Sequence, residues 1–240
     1  MRGRPRLWHH DYLHLRPLSA DVRARIATWG RPGGPLRILD LGSGASPYRE
    51  WIGPGATQYV RCDADPASHP DVVARAERLP FAEGVFDAVL ATQVLELVES
   101  PREMAREIAR VLAPGGTACV TTPLHFPYDA AAPGHRFGEP QLRELFSGLE
   151  IVEIRAQGGM MAAPFLLANV GVREAVLAAG RRARVAGAAM SPFAAAFFIV
   201  SNATGRLLER LAGGGPLSPF LGYLDRRLPM NVLLLAVKRP

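Results

Sequence analysis

A short apolar run that ends at a glycine-rich turn constrains the fold of this chain more than any other feature. The run covers Leu36–Leu41, and Gly42, Ser43 and Gly44 follow it directly. Glycines at this spacing let the backbone turn sharply out of a strand and approach a bound ligand closely. The segment therefore predicts a strand whose carboxyl end carries a ligand-binding loop.

Six further segments have the apolar pattern of strands, and one has the pattern of a capped helix. The helix is expected to begin after Ser100, with Pro101 in its first position and Glu103 in its third, and to end at Pro114. Strands that alternate with helices favour a mainly parallel sheet with helices packed on both faces. The six segments are 58–62, 71–74, 86–92, 117–122, 150–155 and 231–237.

The predicted fold class is α/β: a Rossmann-like, seven-stranded, mostly parallel sheet with helices on both faces, an antiparallel last strand and a helical insertion before that strand. Residues 1–34 are expected to form an N-terminal helical lid segment, in which Ser19 or Asp21 caps a helix over Val22–Trp29. The remaining predicted segments are a ligand-binding core at 35–157, an apolar helical insertion or cap at 158–228, and the closing strand of the core at 229–240.

The insertion has no charged residue between Arg184 and Arg206, and this length suits a membrane-spanning helix. The many alanines, together with Pro192 and Asn202, argue against a span, and a helix lying in the membrane interface is a second alternative. We expect instead a helical cap that builds an apolar pocket over the strand ends. Peripheral membrane contact through 158–228 stays open as the alternative.

The charge and the cysteine content argue against several classes of protein. The net charge is +6, yet the arginines are spread along the chain without a basic stripe interleaved with aromatic residues, which argues against a nucleic-acid partner. Cys62 and Cys119 lie within apolar runs and fit buried thiols of a reducing compartment. No apolar segment of signal-peptide length follows the basic N-terminus, so the expected location is the cytoplasm, with attachment to the membrane surface as the alternative.

The residues after the glycine turn discriminate between classes of nucleotide-binding protein. A dinucleotide-binding turn needs a third small residue where this chain has Pro47, and a P-loop needs a Gly-Lys-Ser/Thr sequence that this turn lacks. Ser46 and Pro47 are expected to start a helix. Asp63 follows the second predicted strand and is placed to accept both hydroxyls of a ribose, with Asp65 as the alternative.

Several blocks of the sequence resemble class I S-adenosylmethionine-dependent methyltransferases, and in particular the methyltransferase type 11 family. Residues 38–44 are similar to the first motif of these enzymes, and 76–81 with 84–89 resemble a block typical of the type 11 family. Residues 93–96 and 107–116 continue the family pattern in order and at normal spacing. The similarity covers residues 36–149.

The resemblance implies S-adenosylmethionine as the cofactor. The glycine loop would hold its methionine part, Asp40 would orient its ammonium group, and Asp63 would bind its ribose. Residues 76–77 would border the adenine and 92–93 would lie beneath the sulfonium. Independently of the resemblance, Arg16 of the lid segment is placed to meet the carboxylate, and the alternative is that it lies on a solvated helix face. The expected cofactor-binding residues are Asp40, Gly42, Ser43, Gly44, Asp63, Ala64, Ala76, Glu77, Thr92, Gln93 and Arg16.

Two positions depart from the family pattern, and two histidines are candidates for catalysis. Arg75 stands where an acidic residue is usual, which puts a contact to the adenine amino group in doubt, and Leu97 stands where a histidine is familiar. His125 follows the fifth predicted strand, and His135 precedes a predicted helix over 141–146. Either histidine is a candidate general base, and the alternative for each is a hydrogen bond to the backbone. No metal site is expected.

The sequence therefore predicts an enzyme that transfers a methyl group from S-adenosylmethionine to a small, partly apolar acceptor. Placement of the acceptor in line with the activated methyl group supplies much of the acceleration. O-methylation of a secondary metabolite, a glycan or a lipid-linked molecule is favoured. The alternative is a cofactor-binding protein without methyl transfer, either pericyclase-like or a pseudoenzyme, and Pro47 disfavours a nicotinamide oxidoreductase. The oligomeric state is not predicted.

Overall fold

The computed structural model describes residues 3–29, 36–53, 55–125, 133–159, 161–182, 192–214 and 229–239. The chain forms two compact units. The first unit comprises Met1–Ser19, His125–Pro127 and Ala156–Met230. The second unit comprises Ala20–Leu124, Tyr128–Arg155 and Asn231–Pro240. The first nineteen residues thus group with the insertion.

One sheet joins the seven strands in the order β3-β2-β1-β4-β5-β7-β6. The pairs β1–β2, β1–β4, β2–β3 and β4–β5 are parallel, whereas β7 runs antiparallel to β5. The predicted fold class is therefore confirmed. The strands are β1 (Leu36–Leu41), β2 (Ala56–Asp63), β3 (Val72–Val73), β4 (Phe86–Thr92), β5 (Leu112–Pro123), β6 (Glu150–Gln157) and β7 (Asn231–Val237).

Five α-helices and two short 3-10 helices occur in the described part of the chain. The α-helices are α1 (Tyr12–Ile26), α2 (Pro101–Val111), α3 (Glu139–Leu145), α4 (Ala163–Arg182) and α5 (Pro192–Gly214), and the 3-10 helices are Arg49–Trp51 and Pro66–Ser68. Helices α4 and α5 lie between β6 and β7 in the chain, so the predicted helical insertion before the last strand is confirmed.

Each face of the sheet in the second unit has its own apolar core. On one face, buried residues of α2 and α3 such as Ile108 and Leu142 pack with Leu39 and Leu41 of β1. On the other face, Ile38 belongs to a smaller cluster against which Trp29 and other partly buried side chains pack. Neighbouring residues of β1 alternate between the two clusters because successive side chains of a strand point to opposite faces.

The first unit has a separate core and a buried polar contact. Leu13, Leu166 and Met230 are fully buried together. Asn169 donates its side-chain N–H to Asn202 Oδ1 (2.8 Å), and the Asn202 side chain donates to two backbone carbonyl oxygens near the N-terminus. Within the ranges that are described, no helix is long and apolar enough to cross a membrane. Residues 183–191 of the uncharged run lie outside those ranges.

Three local predictions were wrong. Helix α1 begins at Tyr12 rather than near Ser19, because burial of its apolar side chains stabilises a longer helix in spite of Pro17. No α-helix starts at Ser46, whose φ of 48° is unsuitable for an N-cap; Tyr48 precedes a single 3-10 turn instead. The residues around Pro114 belong to β5, because Gly115 and Lys238 extend the backbone ladder with β7.

Candidate functional site

The glycine loop at the end of β1 is held by hydrogen bonds from β2. Gly42 N–H donates to Cys62 O (2.8 Å), and Gly44 N–H donates to Asp63 Oδ2 (2.8 Å). The φ angles of Gly42 (65°) and Gly44 (48°) lie in the left-handed region that favours glycine. A Cβ on Gly42 would lie 2.2 Å from Val94 Cγ2, whereas a Cβ on Gly44 would meet no atom within 4 Å. Val94 therefore packs closely against Gly42, whereas the space beside Gly44 is open.

Ser43 lies between the two glycines and is only 4% exposed. Its hydroxyl oxygen has no hydrogen-bond partner among the residues that the structure describes. A buried polar group without a partner carries a free-energy cost, which a bound ligand with a complementary group removes. This hydroxyl and the open space at Gly44 are features of a loop that fits a ligand.

Asp40 is the most deeply buried acidic residue of the predicted site, at 2% exposed. The Tyr59 hydroxyl donates a hydrogen bond to Asp40 Oδ2. Burial raises the pKa of Asp40 to about 6, and the hydrogen bond from Tyr59 opposes that rise. Burial and the neighbouring Asp40 carboxylate raise the pKa of Tyr59, so the tyrosine is the proton donor of the pair.

Asp63 and Asp65 differ in the hydrogen bonds that their carboxylates accept. Asp63 Oδ2 accepts Gly44 N–H, and its Oδ1 accepts the N–H of Asp65 (2.9 Å), so this side chain links the end of β2 to the glycine loop. Asp65 accepts Ala67 N–H (2.9 Å) and only caps the following 3-10 turn. Ala64, between the two, is exposed. The geometry thus brings Asp63, and not Asp65, to the loop.

The residues expected at the adenine lie beside this strand end. The N–H of Ala74 donates to Asp63 O (3.0 Å), and Ala76, two residues later, is buried. Glu77 accepts the backbone N–H of Glu99 (3.0 Å) and the guanidinium of Arg75 (2.9 Å). Burial raises the pKa of Glu77, but its hydrogen bonds outweigh burial and hold the pKa below its usual value. Arg75, the departure from the family pattern, thus forms an ion pair with Glu77.

Polar side chains gather at the carboxyl ends of β4 and β5. Thr92 is buried, and Gln93, with a φ of 57°, donates its backbone N–H to Thr121 O (2.9 Å). Two further polar residues here were not predicted from the sequence. The Glu96 carboxylate is 5% exposed and accepts the hydroxyl of Thr122 (3.5 Å). A charged residue flanked by leucines was the available signal for Glu96.

The two candidate bases fall in different units. In the second unit, His135 donates its backbone N–H to Glu96 O (3.0 Å), and its buried Nε2 has no hydrogen-bond partner in the described ranges. In the first unit, His125 is exposed and its Nδ1 lies 2.8 Å from Pro229 O. A carbonyl oxygen only accepts, so Nδ1 carries the proton of this hydrogen bond, and in the neutral ring Nε2 is the nitrogen with the lone pair. Arg16, also in the first unit, pairs with Glu209 (3.1 Å). Residues 126–132, between the histidines, are outside the described part.

Residues 39–120 match the family model of the methyltransferase domain. This match covers 82 of the 240 residues, so the chain is similar to that family over this segment. The matched segment contains every predicted cofactor-binding residue except Arg16, whereas both histidines lie beyond it. No three His, Cys, Asp or Glu side chains in the described ranges of the chain form a group that could hold a metal ion.

Curated relatives are similar over a somewhat longer stretch than the family model. An uncharacterized methyltransferase of Mycobacterium leprae is 30% identical in an alignment of 118 positions that covers 42% of this chain and 44% of the relative. One from Mycolicibacterium gilvum is 32% identical in an alignment of 121 positions that covers 43% of this chain and 48% of the relative. The chain thus matches less than half the length of these relatives.

Solved structures share the fold over most of the chain at low sequence identity. The cyclase SpnF is 19% identical, with a TM-score of 0.56, over 92% of this chain and 81% of its own. A putative methyltransferase in complex with the Haloferax volcanii Trm112 activator is 17% identical, with a TM-score of 0.57, over 96% and 94%. Phosphoethanolamine N-methyltransferase 2 of Haemonchus contortus is 14% identical, with a TM-score of 0.55, over 98% and 57%.

Proposed function

We propose that this chain is an S-adenosylmethionine-dependent methyltransferase that acts on a small, partly apolar acceptor. The observation that carries the proposal is the glycine loop, which is tied to Asp63 and open at Gly44, within a segment of the methyltransferase family. The loop lies at the carboxyl ends of parallel strands, where ligands of open α/β sheets bind. Related structures with the same fold include one in complex with S-adenosyl-L-methionine.

The residues present fit this cofactor. The unpartnered Ser43 hydroxyl and the open side of Gly44 would receive the methionine part, and the Asp40 carboxylate would accept its ammonium group. Asp63 would accept the ribose hydroxyls with the remaining lone pairs of its two oxygens, and Ala76 with Glu77 would border the adenine. Ala64, Thr92 and Gln93 complete the proposed binding set in the second unit, and Arg16, which pairs with Glu209 in the first unit, stays a separate prediction. When bound, the cofactor supplies an activated methyl group.

Isothermal titration with S-adenosylhomocysteine tests the binding half of this proposal. The wild-type protein is expected to bind, whereas Gly44→Val fills the open side of the loop and Asp63→Ala removes its tie to the loop. The affinity of each variant for S-adenosylhomocysteine is expected to fall at least about tenfold. For Asp63→Ala this is the effect of losing one or more hydrogen bonds to a charged group, and for Gly44→Val the side chain occupies the space of the ligand. The matched controls are Gly148→Val, at a glycine with equally open surroundings, and Asp65→Ala. Unchanged titrations of both site variants would refute the site.

Release of S-adenosylhomocysteine from S-adenosylmethionine tests the enzymatic half. We propose oxygen as the atom that is methylated, with His125 or His135 as the base. Nδ1 of His125 faces a carbonyl oxygen, which leaves Nε2 as the acceptor of the neutral ring, and Nε2 of His135 is buried without a described partner. A panel of hydroxylated secondary metabolites, glycans and lipid-linked molecules is the appropriate acceptor set. Turnover that survives His125→Ala and His135→Ala alike would show that neither histidine is required.

The main alternative is a cofactor-binding protein that transfers no methyl group. The cyclase SpnF supports this alternative, because it has a similar fold and a different activity. Tight binding of S-adenosylhomocysteine without turnover on any acceptor of the panel would support this alternative. Measurable binding of NAD(P) instead would contradict both proposals.

For the acceptor, we propose partly apolar chemistry because of the side chains that α5 exposes in the first unit. Phe193 is 87% exposed and Val200 is 67% exposed, with Leu207 and Leu211 also exposed on the same helix. Such a surface suits either the binding of an apolar acceptor or the peripheral contact of a cytoplasmic protein with a membrane. Co-sedimentation with phosphatidylcholine–phosphatidylglycerol vesicles discriminates between these two. If the helix contacts a membrane, the wild-type protein should bind the vesicles and Phe193→Ser should bind them more weakly.

A further inference from the structure

Tyr59 of β2 makes a contact with Asp40 that the predicted site did not include. Strands β1 and β2 run parallel, with Tyr59 opposite Ile38 and Arg61 opposite Asp40. Tyr59 packs against the same apolar cluster as Ile38, so its side chain lies on the face of the sheet toward which Asp40 also points. From there its hydroxyl donates to Asp40 Oδ2, beneath the glycine loop.

Among the residues that the structure describes, no cation forms an ion pair with the Asp40 carboxylate, although the charge of Arg61 lowers its pKa. Arg61, its neighbour on β2, has its guanidinium on Asp71, with Nη2 2.8 Å from Oδ1. On the other side, the β4 residue opposite Asp40 is Leu90. Asp63 at the end of β2 is a second carboxylate, and the Arg49 guanidinium lies over the Tyr59 ring, 5.7 Å from its centroid. Asp40 therefore receives its hydrogen bond from β2 from the neutral Tyr59 hydroxyl, and the Ser46 side chain also lowers the pKa of Asp40, to a smaller extent than Tyr59 does.

A buried carboxylate without a cation is stabilised when a ligand brings a positive charge to it. We propose that Tyr59 is a positioning residue for cofactor binding: its hydroxyl orients the Asp40 carboxylate two residues before the glycine loop and favours its ionised form, and binding of the cofactor's ammonium group is coupled to release of the proton that Asp40 still carries in part of the ligand-free protein. This inference rests on the proposed function. The ammonium group stays protonated, and the proton from Asp40 passes to the solvent.

The direction of the coupling follows from the protonation equilibrium of Asp40. Burial raises the pKa of Asp40 to about 6, so a large fraction of the ligand-free protein carries a proton there near pH 6. An ammonium group beside the carboxylate lowers its pKa, so binding expels that proton. Affinity for the cofactor should rise with pH up to the ligand-free pKa and level off above it. Loss of the Tyr59 hydrogen bond raises that pKa and shifts the whole curve to higher pH.

Titration calorimetry with S-adenosylhomocysteine from pH 5 to pH 8, in buffers of different ionisation enthalpy, measures both affinity and proton release. For the wild type we expect proton release near pH 6 and affinity that falls up to about tenfold per pH unit below it. Tyr59→Phe should move the midpoint upward by about one pH unit, so that binding is several-fold weaker at pH 6.5 and recovers by pH 8. Asp40→Asn should bind weakly, without proton release.

Two controls separate this coupling from a structural effect. Asp87→Asn changes a carboxylate that pairs with Arg37 at the opposite end of β1, and its pH midpoint should equal that of the wild type. An analogue of S-adenosylhomocysteine that lacks the amino group should bind without proton release. Wild-type binding without proton release, or a Tyr59→Phe variant weakened equally at every pH, would overturn the inference and leave the proposed function intact. Failure of the wild type to bind at all would overturn the proposed function itself.

Discussion

Gly42 is the residue of the loop with the least freedom to change. A methyl group there would lie 2.2 Å from Val94 Cγ2, and the φ of 65° is strained for any residue with a side chain. We expect Gly42→Ala to lower the free energy of unfolding by about 2–4 kcal/mol, the sum of overpacking and backbone strain. Urea unfolding followed by circular dichroism measures the change.

The matched comparisons are Gly148→Ala and the double variant Gly42→Ala, Val94→Ala. Gly148 has no positive φ and open surroundings, so an added methyl group there should change stability by less than about 0.5 kcal/mol. Val94→Ala removes both Cγ clashes but leaves its Cβ 3.1 Å from the added methyl group and does not relieve the backbone strain. The double variant should therefore be destabilised by less than the sum of the two single variants. An additive result would mean that the loop moves aside and that Val94 does not limit position 42.

Individual residues could be placed from the sequence where their conformation depends only on the neighbouring residues of the same strand and turn. The glycine loop needed no knowledge of neighbouring strands, because the spacing of Gly42 and Gly44 is local. Tyr59 was missed because its contact with Asp40 depends on the parallel register of β1 and β2, which no local pattern specifies. The roles of Asp40 and Asp63 toward a cofactor remain predictions.

Among the elements, α2 has the most complete local signals. The Ser100 hydroxyl accepts the N–H of Glu103 (3.4 Å), and Pro101 occupies the first turn. Ser100→Ala should therefore lower the free energy of unfolding by about 0.5–2 kcal/mol, the usual contribution of an N-cap. Chemical denaturation measures it, and Ser147→Ala, at an exposed turn residue, is the control. Equal stabilities of the two variants would show that backbone solvation replaces the cap.

Element boundaries were predicted well wherever an apolar run was bounded by turn residues. Strands β1, β4 and β7 have the bounds expected from the sequence, because each is a mostly apolar run that has a neighbouring strand on both sides in the sheet. The helix expected after the glycine turn is absent because Ser46 adopts a left-handed φ and the chain returns to β2 after one 3-10 turn. That geometry follows from the packing of the loop, which sequence spacing does not reveal.

For the molecule as a whole, the buried Asp40 places a cost on the fold that ligand binding is expected to offset. Burial raises the pKa of Asp40 from 3.8 to about 6, so the folded protein binds the Asp40 proton more tightly than the unfolded chain does. The contribution of Asp40 to the stability of the folded state is therefore fully present below pH 4, and it is lost as the pH rises through 6. A shift of about two units corresponds to about 3 kcal/mol once the residue is ionised in both states.

Asp40→Asn should consequently stabilise the ligand-free protein while it weakens cofactor binding. An asparagine side chain still accepts the Tyr59 hydroxyl but carries no buried charge. We expect a gain of up to about 3 kcal/mol at pH 7.5, which shrinks as the pH falls from 6 to 4 because the wild-type carboxylate becomes protonated. Urea unfolding at pH 4.5, 6 and 7.5 measures the difference. A variant less stable than the wild type at pH 7.5 would mean that the ionised Asp40 stabilises the ligand-free fold, and the trade between stability and binding at this residue would not exist.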